Sequence, residues 1–75
     1  MSIITEAMKK NYIAMVHEEM IRRGFAPKEI PQIIGKTGFM KALELYPEEQ
    51  LHYDPYDAVN ELLVIAARNN VQAMA

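Results

Sequence analysis

The sequence predicts an all-α domain of about four helices, the second short. Three observations carry that expectation. Apolar residues recur at three- and four-residue spacing in a long early stretch and again near the end of the chain. Gly24, Gly35 and Pro47 fall where helices would have to stop. The stretch Asp54-Pro55-Tyr56-Asp57 reads as the chemistry of a helix start.

Each element follows in turn. Ser2 or Thr5 suits the N-cap of a first helix that runs to Arg23 and stops at Gly24, a favourable residue just past a helix end. Within it Ile4, Met8, Tyr12, Met15 and Val16 share one broad face, which Ile13 and Met20 extend. Ile21 lies apart, with Ala7 and Ala14. Apolar residues thus cover most of the circumference, so the helix is either central to the fold or shared with a second chain. Its methionines are expected to fill gaps in a core.

Phe25 should then pack back onto that core. Pro27 suits the first position of a second helix, and Pro31 is tolerated only if it too lies in the first turn. The helix is therefore short, residues 28–34, ending at Gly35. A third helix follows, with Thr37 as cap, Phe39, Met40, Leu43 and Tyr46 facing inward, and Pro47 as terminator. In the last helix Asp54 is the N-cap, Pro55 the first residue, and Asp57 an acid facing the positive end of the dipole. Val59, Leu62, Leu63 and Ala66 give it an inward face. The first and last helices should form the main packing pair, and residues 69–75 should fray.

Composition bounds the function. A chain of 75 residues is one domain, residues 1–75, near the size at which one core is only marginally stabilising. Apolar residues make up 51% and charged residues 24%, which is globular composition and not that of a disordered segment. Cysteine is missing, so no disulfide, thiol nucleophile or cysteine zinc site is available, and a cytoplasmic location is expected. The first residues carry their bases after the apolar stretch, the reverse of a signal peptide, and no apolar run approaches a membrane span. The net charge of −2 divides into +2 over residues 1–46 and −4 over residues 47–75. A duplex-binding surface wants a basic stripe, so nucleic acid is disfavoured.

Candidate chemistry is sparse. His52 with Asp54 or Asp57 has the makings of a base and its orienter, but the hydroxyls of Ser2, Thr5, Thr37 and the four tyrosines lie in no nucleophile motif. The expectation is no enzyme and no cofactor. His17, Glu18, Glu19 and His52 match no zinc-ligand spacing, so no metal is expected either. His17 then belongs to a solvated helix face. His52 is expected to donate a hydrogen bond to a nearby carbonyl and fix the loop before the last helix. Ile30, Gly35, Thr37 and Leu43 follow the rhythm of a helix-turn-helix, but the reading helix would offer only Lys36, Lys41 and Glu44. The stretch Ile33-Ile34-Gly35-Lys36-Thr37-Gly38 lacks the first glycine and the preceding strand of a phosphate loop.

The run GFAPKEIPQIIGKTGFMKALELY, followed by LHY, resembles a family of small all-helical bacterial proteins of unknown function. The matching positions are Gly24, Glu29, Lys36, Gly38, Phe39, Leu51 and His52, within a similarity spanning roughly residues 12–65. Pro27, Pro31 and Tyr53 depart from the pattern. The resemblance implies no activity. It implies at most a bacterial accessory or antitoxin-like partner.

Two function classes follow. The first is a non-enzymatic interaction module, a homodimer that uses Ile13, Met20, Ile21 and Val64 as its candidate interface and binds a second protein. The alternative is a small helix-turn-helix regulator of DNA.

Overall fold

Helix α1 (Glu6–Arg22) starts where a threonine can satisfy a first-turn amide. Thr5 is extended (φ −98°, ψ 167°) and its Oγ1 accepts from the Met8 N–H at 3.2 Å. Ser2, the other candidate cap, lies outside the residues that the computed structural model describes: 4–74 for the backbone and 4–69 for side chains. At the other end Gly24 adopts φ 102°. Its N–H bonds the Ile21 carbonyl at 3.0 Å, and the Phe25 N–H bonds that of Met20 at 3.1 Å. This double bond pattern closes the helix and throws Phe25 back against the core.

The face α1 buries differs from the broad one its sequence suggests. Tyr12, Val16, Glu19 and Met20 are buried, while Met8 and Met15 are exposed. Because apolar residues surround this helix, its pattern leaves the choice of face open. Burial of Glu19 between two arginines is the feature that distinguishes one face.

Helix α2 (Ile30–Thr37) begins later than Pro27 suggests and runs past Gly35. Pro31, not Pro27, sets its start, since a proline fits only the first turn. Residues 27–29 form a turn closed by the Glu29 N–H on the Ala26 carbonyl at 2.9 Å. The stop is Gly38, left-handed at φ 73°, and α3 (Phe39–Leu45) starts on the next residue. Thr37 Oγ1 holds this corner. It donates to the Ile34 carbonyl at 2.7 Å and accepts from the Phe39 N–H at 3.2 Å.

Phe39 and Leu43 are buried as expected, but Met40 and Tyr46 are exposed. Pro47 does push Tyr46 out of helical geometry (φ −133°, ψ 58°), as a proline does to its predecessor. The chain then re-enters a helix, α4 (Pro47–His52), which the sequence reading passes over. Its signal is present: proline at the first position with Glu48 and Glu49 in the first turn. Helix α5 (Pro55–Met74) extends into the stretch 69–75, and the Asn69 side chain donates to the Lys36 carbonyl at 2.7 Å.

The architecture is therefore five helices, with no strand among the described residues. Helix α5 packs against both α1 and α2, so the short second helix is as close a neighbour of α5 as the first. One core joins Tyr12, Val16 and Met20 of α1, Ile30 and Ile34 of α2, Phe39 and Leu43 of α3, and Ala58, Val59 and Leu62 of α5. Tyr12 and Phe39 stack at 6.2 Å between ring centroids.

The two turn-proximal glycines should respond oppositely to alanine. Gly35 lies inside α2, is exposed, and has nothing within 4 Å of a built Cβ, so Gly35→Ala is expected to stabilise by about 0.5–1 kcal/mol. Gly38 also has open space but sits at φ 73°, so Gly38→Ala is expected to destabilise by about 1–2 kcal/mol. Urea midpoints measure both.

Candidate functional site

The polar centre of the molecule is Glu19. Its residue is 7% exposed, and an isolated carboxylate there would be strongly disfavoured. Two arginines one turn on resolve this. Arg23 Nε donates to Oε2 at 2.8 Å, and Arg22 Nη2 donates to Oε1. These two bonds, that of Arg23 foremost, hold the Glu19 carboxyl below the ordinary glutamate range.

Arg23 does more than neutralise. Its Nη1 donates to Asn60 Oδ1 at 2.8 Å, its Nη2 to the Tyr56 carbonyl at 3.0 Å, and its guanidinium lies 4.6 Å from the Tyr56 ring centroid. The residue that ends α1 thus clasps the first turns of α5. In the sequence Arg22 and Arg23 enter only the sum of charges, which does not show such a clasp. The signal was Glu19 at four residues before Arg23 on a helix.

The loop ahead of α5 is fixed from α1 as well. Tyr12 Oη donates to the Tyr53 carbonyl at 2.9 Å. Burial, with the charge of Asp54 second, raises the Tyr12 phenol above its ordinary value, so it stays a donor. Lys9 makes a further link, bridging Glu6 at 3.0 Å and Glu44 of α3 at 3.7 Å.

The residues singled out in the sequence separate. Met20 is fully buried and Ile13 is half-buried against the core, so Met20 is corrected from interface to core and Ile13 is mainly a core neighbour. Both lie beside the Tyr12–Val16 stripe, and the clasp turns that side inward. Ile21 and Val64 remain outward, 43% and 53% exposed. His52 ends α4, exposed, and its side chain makes no hydrogen bond among the described residues; the loop-fixing task expected of it belongs to Tyr12. Asp54 receives the Ala58 N–H on its backbone carbonyl at 2.9 Å, and its side chain makes no hydrogen bond among the described residues. Asp57 sits in the first turn of α5, as expected. Among the described residues no group of three or more His, Asp and Glu side chains is placed to hold a metal ion.

Two surface depressions flank α5. One, of about 580 Å³, lies between α3, α4 and α5, with Phe39, Ala42, Leu62 and Ile65 in its lining and Asp57 and Glu61 among its polar residues. The other, of about 690 Å³, is shallower and lies where α1 ends beside the start of α5, between Met15, Ile21, Arg22, Pro55 and Tyr56. The α2–α3 corner is the candidate helix-turn-helix. A single residue joins the helices, and α3 exposes Met40, Lys41, Glu44 and Leu45.

The clasp predicts a pH dependence. Glu19 has a lowered folded-state pKa, so its stabilisation is complete above the ordinary glutamate value, about 4.3, and is lost as pH falls through the folded value. The difference in urea midpoint between the wild type and Glu19→Gln should be widest at neutral pH and close in acid.

A second prediction separates Tyr12 from His52. Tyr12→Phe keeps the ring and loses one hydrogen bond, an expected cost of about 0.5–1.5 kcal/mol. His52→Ala should stay within about 0.5 kcal/mol of the wild type, as surface substitutions do. Equilibrium denaturation reads both.

No family model, curated protein or solved structure matches the chain.

Proposed function

We propose that this chain is a non-enzymatic interaction module that self-associates as a two-fold homodimer and, through that or a neighbouring surface, binds a second protein. The observation that carries this reading is the exposure of Ile21 and Val64 on faces turned away from the core, at 43% and 53%. Ile21 shares its side of α1 with the exposed Ala7 and Ala14, small residues that let a second helix approach. It also borders the depression that holds Met15 and Tyr56, themselves 42% and 54% exposed. Burying such side chains against a symmetry mate gains roughly 25 cal/mol per Å² of apolar surface. A chain of 75 residues without cysteine draws on association to supplement a small core. Two-fold pairing is the commonest arrangement.

Charge agrees with this choice over nucleic acid. Of the basic residues, Lys9, Arg22 and Arg23 are spent in ion pairs within the chain. Among the described residues no helix is long and apolar enough to cross a membrane. In its own cell the module acts as an accessory or antitoxin-like partner, the role the resemblance implies.

Sedimentation at micromolar concentration tests the reading. A dimer is expected, and Ile21→Glu or Val64→Glu should shift it to monomer by placing a charge in the buried contact. A monomeric wild type, unchanged by either substitution, overturns self-association. Mixed-sequence duplex at low salt should not bind; binding there would favour the regulator instead.

A further inference from the structure

The depression between α3, α4 and α5 combines two features. Its floor is apolar: Phe39 and Leu62 are buried at its base, and Ala42 and Ile65 are half-buried and within reach of solvent. Its polar lining is acidic. Asp57 and Glu61 stand one turn apart on α5, both exposed, and no Lys, Arg or His lines the groove. Like charges at this spacing on a helix repel each other.

The charge of the rest of the chain sharpens the contrast. Every described ion pair takes its acid from residues 1–46: Glu6, Glu19 and Glu44. Among the described residues Asp57 and Glu61 form none. Arg23, which reaches Asn60 on α5, is committed to Glu19 and the Tyr56 carbonyl. Two acids facing an apolar floor, without a cation of their own, complement one chemistry: an aliphatic side chain flanked by positive charge. At about 580 Å³ the groove accommodates several side chains, within the range of a binding cleft. Gln50 and the exposed Tyr53 add hydrogen-bonding groups at its α4 end.

We propose that this groove docks a basic amphipathic segment of a protein partner, with leucine-like side chains on the Phe39–Leu62–Ile65 floor and Lys or Arg against Asp57 and Glu61. Neither Ile21 nor Val64 lines the groove, although Val64 stands one turn from Asn60 and Glu61 on α5. Docking here rests on the second-protein binding proposed above, and its readout is kept apart from the oligomeric state. The apolar floor supplies the anchor, and the acids orient it and speed its approach.

The test is a titration of the full ¹⁵N-labelled chain with the synthetic peptide KLLKLLK, followed by amide shifts. Saturable shifts centred on Thr37, Ala58, Glu61 and Ile65 are expected, weakening as salt rises. Glu61→Gln should raise the Kd, and the pair Asp57→Asn with Glu61→Gln should raise it roughly three- to tenfold. Both residues are exposed, so the fold should survive. If the double variant loses its helical circular dichroism, the Glu61→Gln titration decides. Equal binding of ELLELLE, which reverses the charge, or of KSSKSSK, which removes the anchors, overturns the proposal. So do shifts centred on Met15, Ile21 and Tyr56. Groove resonances that move with protein concentration alone would assign the groove to a second copy and overturn it likewise.

Discussion

A buried glutamate is the constraint on which this small fold turns. Glu19 lies on the inward face of α1, where its charge needs partners, and Arg22 and Arg23 supply them. Arg23 holds the tertiary structure in consequence. Its backbone ends α1, and its side chain reaches the Tyr56 carbonyl, the Tyr56 ring and Asn60 of α5. The planar guanidinium meets several acceptors at once, which a lysine ammonium on its flexible stem would not reproduce. With that joint set, α1 presents Tyr12, Val16 and Met20 to the core, and Met8, Met15 and Ile21 face outward.

The middle of the chain works under a different constraint, shortness. Helices α2, α3 and α4 hold 8, 7 and 6 residues, too few to be stable alone. They persist because each end is specified locally and because Ile30, Ile34, Phe39 and Leu43 are anchored in a common core. Gly38 turns the chain in a single residue and Tyr46 in another. Such tight corners keep α3 and α4 close together. The groove is the space this leaves.

Charge follows the same division. The basic first part of the chain uses Lys9, Arg22 and Arg23 in its own ion pairs. The acids of residues 47–75 form no ion pair among the described residues, so the asymmetry seen in the sequence becomes an asymmetry of the surface. Long-range fields of this kind select partners and speed encounter more than they stabilise a fold. Met15, Ile21 and Tyr56, large and exposed, border one depression beside the start of α5.

By itself the sequence determined the helical class, the stop at Gly24, the tolerance of Pro31 in a first turn, the start of α5 at Pro55, and Phe39, Leu43, Val59 and Leu62 as core. These depend on local chemistry: a left-handed glycine, a missing amide hydrogen, apolar residues one turn apart. It also held the signal for α4, in Pro47 with Glu48 and Glu49, although a helix of six residues is hard to tell from a loop by spacing alone. The tertiary structure alone decided which side of α1 faces inward, because apolar residues surround that helix and periodicity cannot choose among them. It assigned Met20 to the core, left Ile21 and Val64 outside, gave the loop before α5 to Tyr12 instead of His52, and joined Asp57 and Glu61 to an apolar floor that Phe39 and Ala42 of α3 share with Leu62 and Ile65. Each of these depends on contacts between residues distant in the chain, and a pattern of neighbours in sequence does not encode which distant surfaces meet.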